Sequence, residues 1–355
     1  MEAQRFPDDF DGIAAGAPPD DLIVQNTIHH GWPAAMNVDP KTGKYILLAS
    51  KLPLIHAAAL KACDSLDGVT DGVIDNPQVC RSDPATMLCA KGQASSTCLS
   101  PAEVGVVRAI HDGAIDSNGV HLEQPISREW GGELNWSLFV PATEAGPRGS
   151  INFVLPFQKY LDYFNDPKPS ATLSDLKFTI DGFMKTVPTS SYLAATDPDL
   201  SPFARRGGKL ILWHGLEDQH ITPEGTIEYY EQMKNVLGSD KVEQFTRLYL
   251  FPGVAHCGGP DTFDMVISVM AWTETGTKPG KIVASFIDSN GQTTRTRPVF
   301  PYPAVAHYTG SGSTDDAANF VADTPRSDPH VNLHWIGEWL YSRVTKPGAT
   351  VRVRS

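Results

Sequence analysis

No run of apolar residues in this chain approaches the ~20 needed to cross a bilayer, so a membrane-spanning helix is not expected. No apolar stretch follows Met1-Glu2-Ala3-Gln4-Arg5, so the start of the chain does not read as a secretory leader. Positive charge is scarce: 29 Lys and Arg stand against 41 Asp and Glu, a net charge of −12. A chain of that sign is repelled by a phosphate backbone and by an anionic bilayer, which argues against nucleic acid and membrane as partners. No serine has glycine both two positions before and two positions after it. The G-x-S-x-G elbow that presents an α/β-hydrolase nucleophile is therefore not found in these residues. No internal repeat is visible either.

What remains is a core-forming composition. With 355 residues, 41% hydrophobic and 20% charged, the chain has room for one large domain or two ordinary ones. Its five cysteines are Cys63, Cys80, Cys89, Cys98 and Cys257. The first four lie close together, which points to two short-range disulfides and an oxidising compartment. A four-cysteine zinc site is the alternative, although the spacings are not those of paired C-x-x-C knuckles. Cys257 is left over, and a disulfide pattern without a leader is a contradiction that a missing N-terminal piece would resolve.

The stretch that organises the chain is Val254-Ala255-His256-Cys257-Gly258-Gly259. It follows a strand-like run, Thr246 to Phe251, and precedes a helical pattern from Asp261 to Trp272. Upstream, Gly208 to Gly215 reads as a buried strand entering a loop that carries Asp218. An acid and then a histidine, each just after a strand, is the back half of the Ser…Asp…His order of α/β-hydrolases. In that chemistry the acid orients the imidazole and the imidazole takes the serine proton. Glu217 competes for the acid role, and His220 and His214 for the base. A helix from Pro223 to Val236 and a strand from Lys281 to Ile287 complete an alternating rhythm, which predicts a parallel, doubly wound α/β sheet.

Two other regions stand out. Residues 19–198 are poor in strand pattern and rich in aromatics: Trp130, Trp136, Phe139, Phe153, Phe157, Tyr160, Tyr163 and Phe164. They read as an inserted domain. Within it, Cys63-Asp64-Ser65-Leu66-Asp67-Gly68-Val69-Thr70-Asp71-Gly72-Val73-Ile74-Asp75 crowds carboxylates around two Asp-Gly turns. Hard oxygen donors of this kind suit calcium. The competing reading is a solvated helix face, since 64, 67, 71 and 75 are helical spacings; Gly68 and Gly72 would each cost that helix about 1 kcal/mol. A Cys63–Cys80 bridge around the loop would add ~3 kcal/mol by restricting the unfolded chain.

Taken together, these stretches resemble the tannase and feruloyl esterase family, which includes the mono(hydroxyethyl) terephthalate hydrolases. The resemblance rests on Glu2–Gly12, the Cys63–Cys80 loop, Ala195–Leu200, Gly208–Asp218, His256–Gly259 and Gly310–Asn319, and runs to about Asp323. It implies the C-terminal part of an α/β-hydrolase fold: core in 1–18 and 199–345, a lid in 19–198, and a flexible tail in 346–355. It implies Asp218 as triad acid, His256 as base, and a serine in a Gly-Cys-Ser-x-Gly-Gly elbow just ahead of Met1. It also implies that Cys257 pairs with the cysteine of that elbow, leaving Cys63–Cys80 and Cys89–Cys98 as the local bridges. Calcium would be held by Asp64, Asp67 and Asp71 side chains with the Val69 and Val73 carbonyls. The substrate would be a small aromatic ester, and the enzyme secreted or periplasmic. There are departures: the elbow and oxyanion-hole residues are not in this sequence, and Phe300 and Ala322 stand where relatives often carry a further disulfide.

Overall fold

The computed structural model describes residues 1–146, 149–163, 165–256, 260, 262–324 and 334–342. The expectations for Cys257, Phe164 and the 346–355 tail lie outside the described residues.

Three parallel strands form the central sheet in the order β1-β2-β3: β1 Gly12–Gly16, β2 Lys209–Gly215 and β3 Thr246–Phe251. The middle strand is apolar because both of its faces are covered. Side chains alternate across a strand, and the two faces feed different cores. Leu210, Leu212 and Leu248 pack with Ile227, Tyr230 and Met233. Ile211, Tyr249 and Phe251 pack with Val269 and Trp272. The first core includes the helix Pro223–Leu237, which the sequence starts firmly: Thr222 caps Glu224 N–H and Pro223 occupies the first turn. The second includes the helix Met265–Thr275. Register is fixed by size as well as polarity. Gly16 lies opposite Trp213, and a β-carbon there would stand 2.2 Å from the indole.

Among the described residues of 17–208 there is no strand. Helices Leu52–Cys63, Pro101–Asp112, Ile151–Tyr160 and Ile180–Leu193 carry this region. One core lies wholly inside it, built on Ile55, Leu99, Val107, Ile110, Trp136 and Phe139. Other side chains here, Val24, Ile28, Leu122 and Phe183, join the core of the sheet instead. Cys63–Cys80 and Cys89–Cys98 are both disulfides, which removes the zinc alternative for these four cysteines.

One expectation and one competing reading meet a different structure. The strand β4 Ile282–Ile287 does not extend the parallel sheet; it pairs antiparallel with β5 Thr293–Val299. The cause is the turn between them. Asp288 Oδ1 accepts the N–H groups of Asn290 and Gln292, and Gly291 adopts φ +79, so the chain doubles back at once. A second antiparallel pair, β6 Val305–Tyr308 and β7 Phe320–Asp323, follows, with Ala322 in β7. The acidic stretch is not a helix face. Asp64–Asp67 makes one tight turn, and Gly68 and Gly72 at φ +93 and +82 then turn the backbone away.

Candidate active site

β2 and β3 are parallel and in register to their ends, where Gly215 pairs with Phe251. The loops that follow leave the same edge of the sheet, where parallel sheets gather functional side chains. Backbone hydrogen bonds tie these loops together: Leu216 N–H donates to the Phe251 carbonyl and Glu217 N–H to the Val254 carbonyl, both at 2.9 Å. Gly215 permits the approach, because a β-carbon there would lie 2.3 Å from the Val254 carbonyl oxygen. The Gly215→Ala variant is expected to lose about 1–3 kcal/mol by overpacking. Urea unfolding would measure that loss, and the His256 imidazole resonance should move with it. An unaltered midpoint would mean that the two loops can part without cost.

The loops place Asp218 and His256 in contact. Asp218 Oδ2 lies 2.9 Å from His256 Nδ1. Its other oxygen accepts the N–H groups of His220 and Ile221, each at 2.8 Å. Burial alone would push this carboxyl up. Hydrogen bonds from His214 and His256, and the Ile221 N–H, overcome it and hold the group well below the usual carboxylate range. Asp218 is thus a fixed anion, with its side chain 1% exposed against 26% for His256. The acid is sealed and the imidazole reaches the surface. An anion on Nδ1 assigns the proton to that nitrogen and leaves Nε2 as a base. The His256 N–H also donates to Gln219 Oε1 at 3.2 Å.

The competing residues take other positions around this contact. Glu217 turns towards Gly131 and Gly132. Its carboxyl is pushed up to about 8 by burial and then by the nearby Glu133, so it is protonated at neutral pH. His214 is fully buried, with Nδ1 at 2.8 Å from Thr226 Oγ1 and Nε2 at 3.1 Å from the Ile221 carbonyl and 3.3 Å from Asp218 Oδ2. It buttresses Asp218. His220 sits edge-on to His256, ring centroids 4.6 Å apart. Burial, and then His256, bring it down to about 4, so it is neutral.

Residues to which the sequence assigned no role at this site complete the surroundings. His30 and Phe153 lie 4.5 and 4.4 Å from the His220 ring. Deeper, His29 Nδ1 meets Glu123 Oε2 at 2.7 Å. Arg128 donates to the His29 carbonyl at 2.8 Å and lies 4.0 Å over the Phe139 ring. The adjacent pair His29-His30 was the one local sequence signal for this network.

In the acidic loop, the carboxylates turn on their own backbone. Asp64 accepts the Asp71 and Gly72 N–H groups, Asp67 accepts Val69 N–H, and Asp71 accepts Val73 N–H. The second oxygen of Asp71 is held by Arg295 and Arg297. Among the described residues no three His, Cys, Asp or Glu side chains converge as a ligand set. The donor chemistry nevertheless suits a hard cation. Asp67 and Asp75 are hydrogen-bonded to each other, and each is pushed up first by burial, a crowding that a divalent ion would relieve.

The sequence profile named Tannase and feruloyl esterase matches residues 1–322. The chain belongs to the tannase and feruloyl esterase family. It is 32% identical over 373 residues to mono(2-hydroxyethyl) terephthalate hydrolase of Piscinibacter sakaiensis, covering 92% of this chain and 61% of the relative. It is 31% identical over 344 residues to a probable feruloyl esterase of Arthroderma benhamiae, covering 90% and 60%. The chain thus spans about three fifths of the length of these curated relatives. Feruloyl esterase B from Aspergillus oryzae superposes with a TM-score of 0.78 at 25% identity, over 91% of this chain and 66% of that one. The mixed α/β architecture is thus one that solved esterases share. No helix among the described residues is long and apolar enough to cross a membrane.

Proposed function

We propose that this chain carries the acid and base of a serine carboxylic ester hydrolase of the α/β-hydrolase fold, acting on small aromatic esters. The observation that carries the reading is the 2.9 Å contact of Asp218 with His256, at the carboxyl ends of adjacent parallel strands. In this reading the nucleophilic serine lies upstream of Met1, and Cys257 is bridged to a cysteine beside it. His256 Nε2 takes the serine proton as Oγ bonds to the ester carbon. The carbon–oxygen bond to the alcohol then breaks, and His256 returns the proton to that alcohol. A water deprotonated by the same nitrogen releases the acid from the acyl-enzyme. The names of the relatives, feruloyl esterase and terephthalate monoester hydrolase, support an aromatic acyl group. Residues 1–18 and 199–345 would be the catalytic core and 19–198 the lid, in a secreted or periplasmic enzyme.

Joining the chain to the coding segment upstream of Met1 tests this. Hydrolysis of ethyl ferulate should appear, and should vanish with His256→Ala. If that segment brings no serine elbow, the chain is a binding protein without a nucleophile and the reading fails.

The same reading includes a structural calcium ion held by Asp64, Asp67 and Asp71 side chains and the Val69 and Val73 carbonyls. Its charge would offset the crowded carboxylates. At calcium 100 times Kd, mass action raises stability by about 2.7 kcal/mol. Chelator should therefore lower Tm, and Asp67→Ala should abolish the calcium dependence. A Tm indifferent to both would remove the ion from the account.

A further inference from the structure

We propose that His220 and Phe153 form an aryl-binding wall beside His256, against which the flat ring of an aromatic ester lies. This deepens the esterase reading and rests on it. Four rings are in contact. His220 is 4.6 Å from His256 and 4.4 Å from Phe153. His30 is 4.5 Å from His220 and stacks on Phe153 at 4.8 Å, with an interplanar angle of 21°. His30 is fully buried, whereas Phe153, His220 and His256 are each partly exposed. The three partly exposed rings are contiguous, His220 inclined by 56° to Phe153 and by 82° to His256, so a face of one and an edge of the next lead to the candidate base, and His30 backs them.

Its parts come from distant segments. Phe153 is on the helix Ile151–Tyr160, His220 on the loop after β2. The wall is assembled only when the 19–198 region and the sheet are packed together. A phenyl and an uncharged imidazole offer flat faces and edges without a full charge, which suits an aromatic ring and gives an alkyl chain no comparable gain.

The test compares two esters in the enzyme that contains this chain: ethyl ferulate and ethyl butyrate. His220→Ala combined with Phe153→Ala is expected to lower kcat/KM for ethyl ferulate about tenfold more than for ethyl butyrate. His220→Phe keeps a flat ring and removes a buried nitrogen, Nδ1, that has no partner. It should fold at least as well and retain the ferulate rate. A parallel fall on both esters, or no fall on either, overturns the wall. Inactivity of the unmodified enzyme on both esters would instead sink the esterase reading. Saturation-transfer NMR on this chain then decides the wall separately: ferulate should bind and hexanoate should not, and ferulate binding that survives the double substitution overturns it.

Discussion

If the enzyme that contains this chain is the proposed esterase, Asp218→Asn is expected to lower its kcat for ester hydrolysis by about 10⁴-fold with little change in KM, and His256→Ala at least as far. The asparagine is nearly isosteric but inverts the proton logic. Asp218 Oδ2 now stabilises Nδ1–H of His256, and Oδ1 accepts two backbone N–H groups. An amide must present either oxygen or NH₂ to His256. If the oxygen stays on the backbone N–H groups, the NH₂ faces Nδ1, selects the opposite tautomer and puts a proton on Nε2. The base is then lost although the fold is intact. Circular dichroism should be unchanged while single-turnover acylation slows. Equal slowing of acylation and substrate binding would assign Asp218 a positioning role for substrate rather than for His256. Stability should respond in a definite direction. The folded Asp218 carboxyl is held below its unfolded value. Its contribution is therefore present above the unfolded pKa and is lost as pH falls towards the folded one. Asp218→Asn should flatten the acid limb of the stability profile.

What was legible in the sequence follows from how local each signal is. β2 and β3 are short apolar runs bounded by glycine or turn residues, and they pair as such runs should. Asp218 and His256 were legible because both follow a strand at once. The β4–β5 hairpin was misread, although Asn290-Gly291 was its signal; a single apolar strand carries no record of its partner's direction. The ring cluster was not legible as a unit. His30, Phe153 and His220 are far apart in the chain and meet only through packing. Arg128 was equally hidden, since an isolated arginine reads as surface until the helices around it are placed.

Arg128 carries the second large effect, on stability. It is 1% exposed, with hydrogen bonds to the His29 carbonyl at 2.8 Å and the Ile110 carbonyl at 3.2 Å. Burial brings the guanidinium down to about 10, still charged at neutral pH, and Glu123 and Asp218 oppose that shift. Glu123 is fully buried too. Burial would raise its carboxyl, but His29, Arg128 and the Ala114 N–H together hold it below its ordinary value. Arg128→Met keeps the length of the side chain and removes the cation, so Glu123 keeps a buried charge with less to balance it. The substitution also removes a charged donor from the buried His29 and Ile110 carbonyls, a loss of about 1–3 kcal/mol for each one left unsatisfied. The loss should depend on pH. The depressed Glu123 contributes stability above its unfolded pKa, so the deficit of the variant is full at neutral pH and shrinks as pH falls towards 4. His29 works in the same direction, because without the arginine it can take up the proton that burial and Arg128 now deny it. Urea unfolding at pH 7.5 and pH 5 gives the comparison. A deficit below about 1 kcal/mol, the range of an exposed ion pair, or one that does not change with pH, would show that Arg128 serves only to fill space over Phe139.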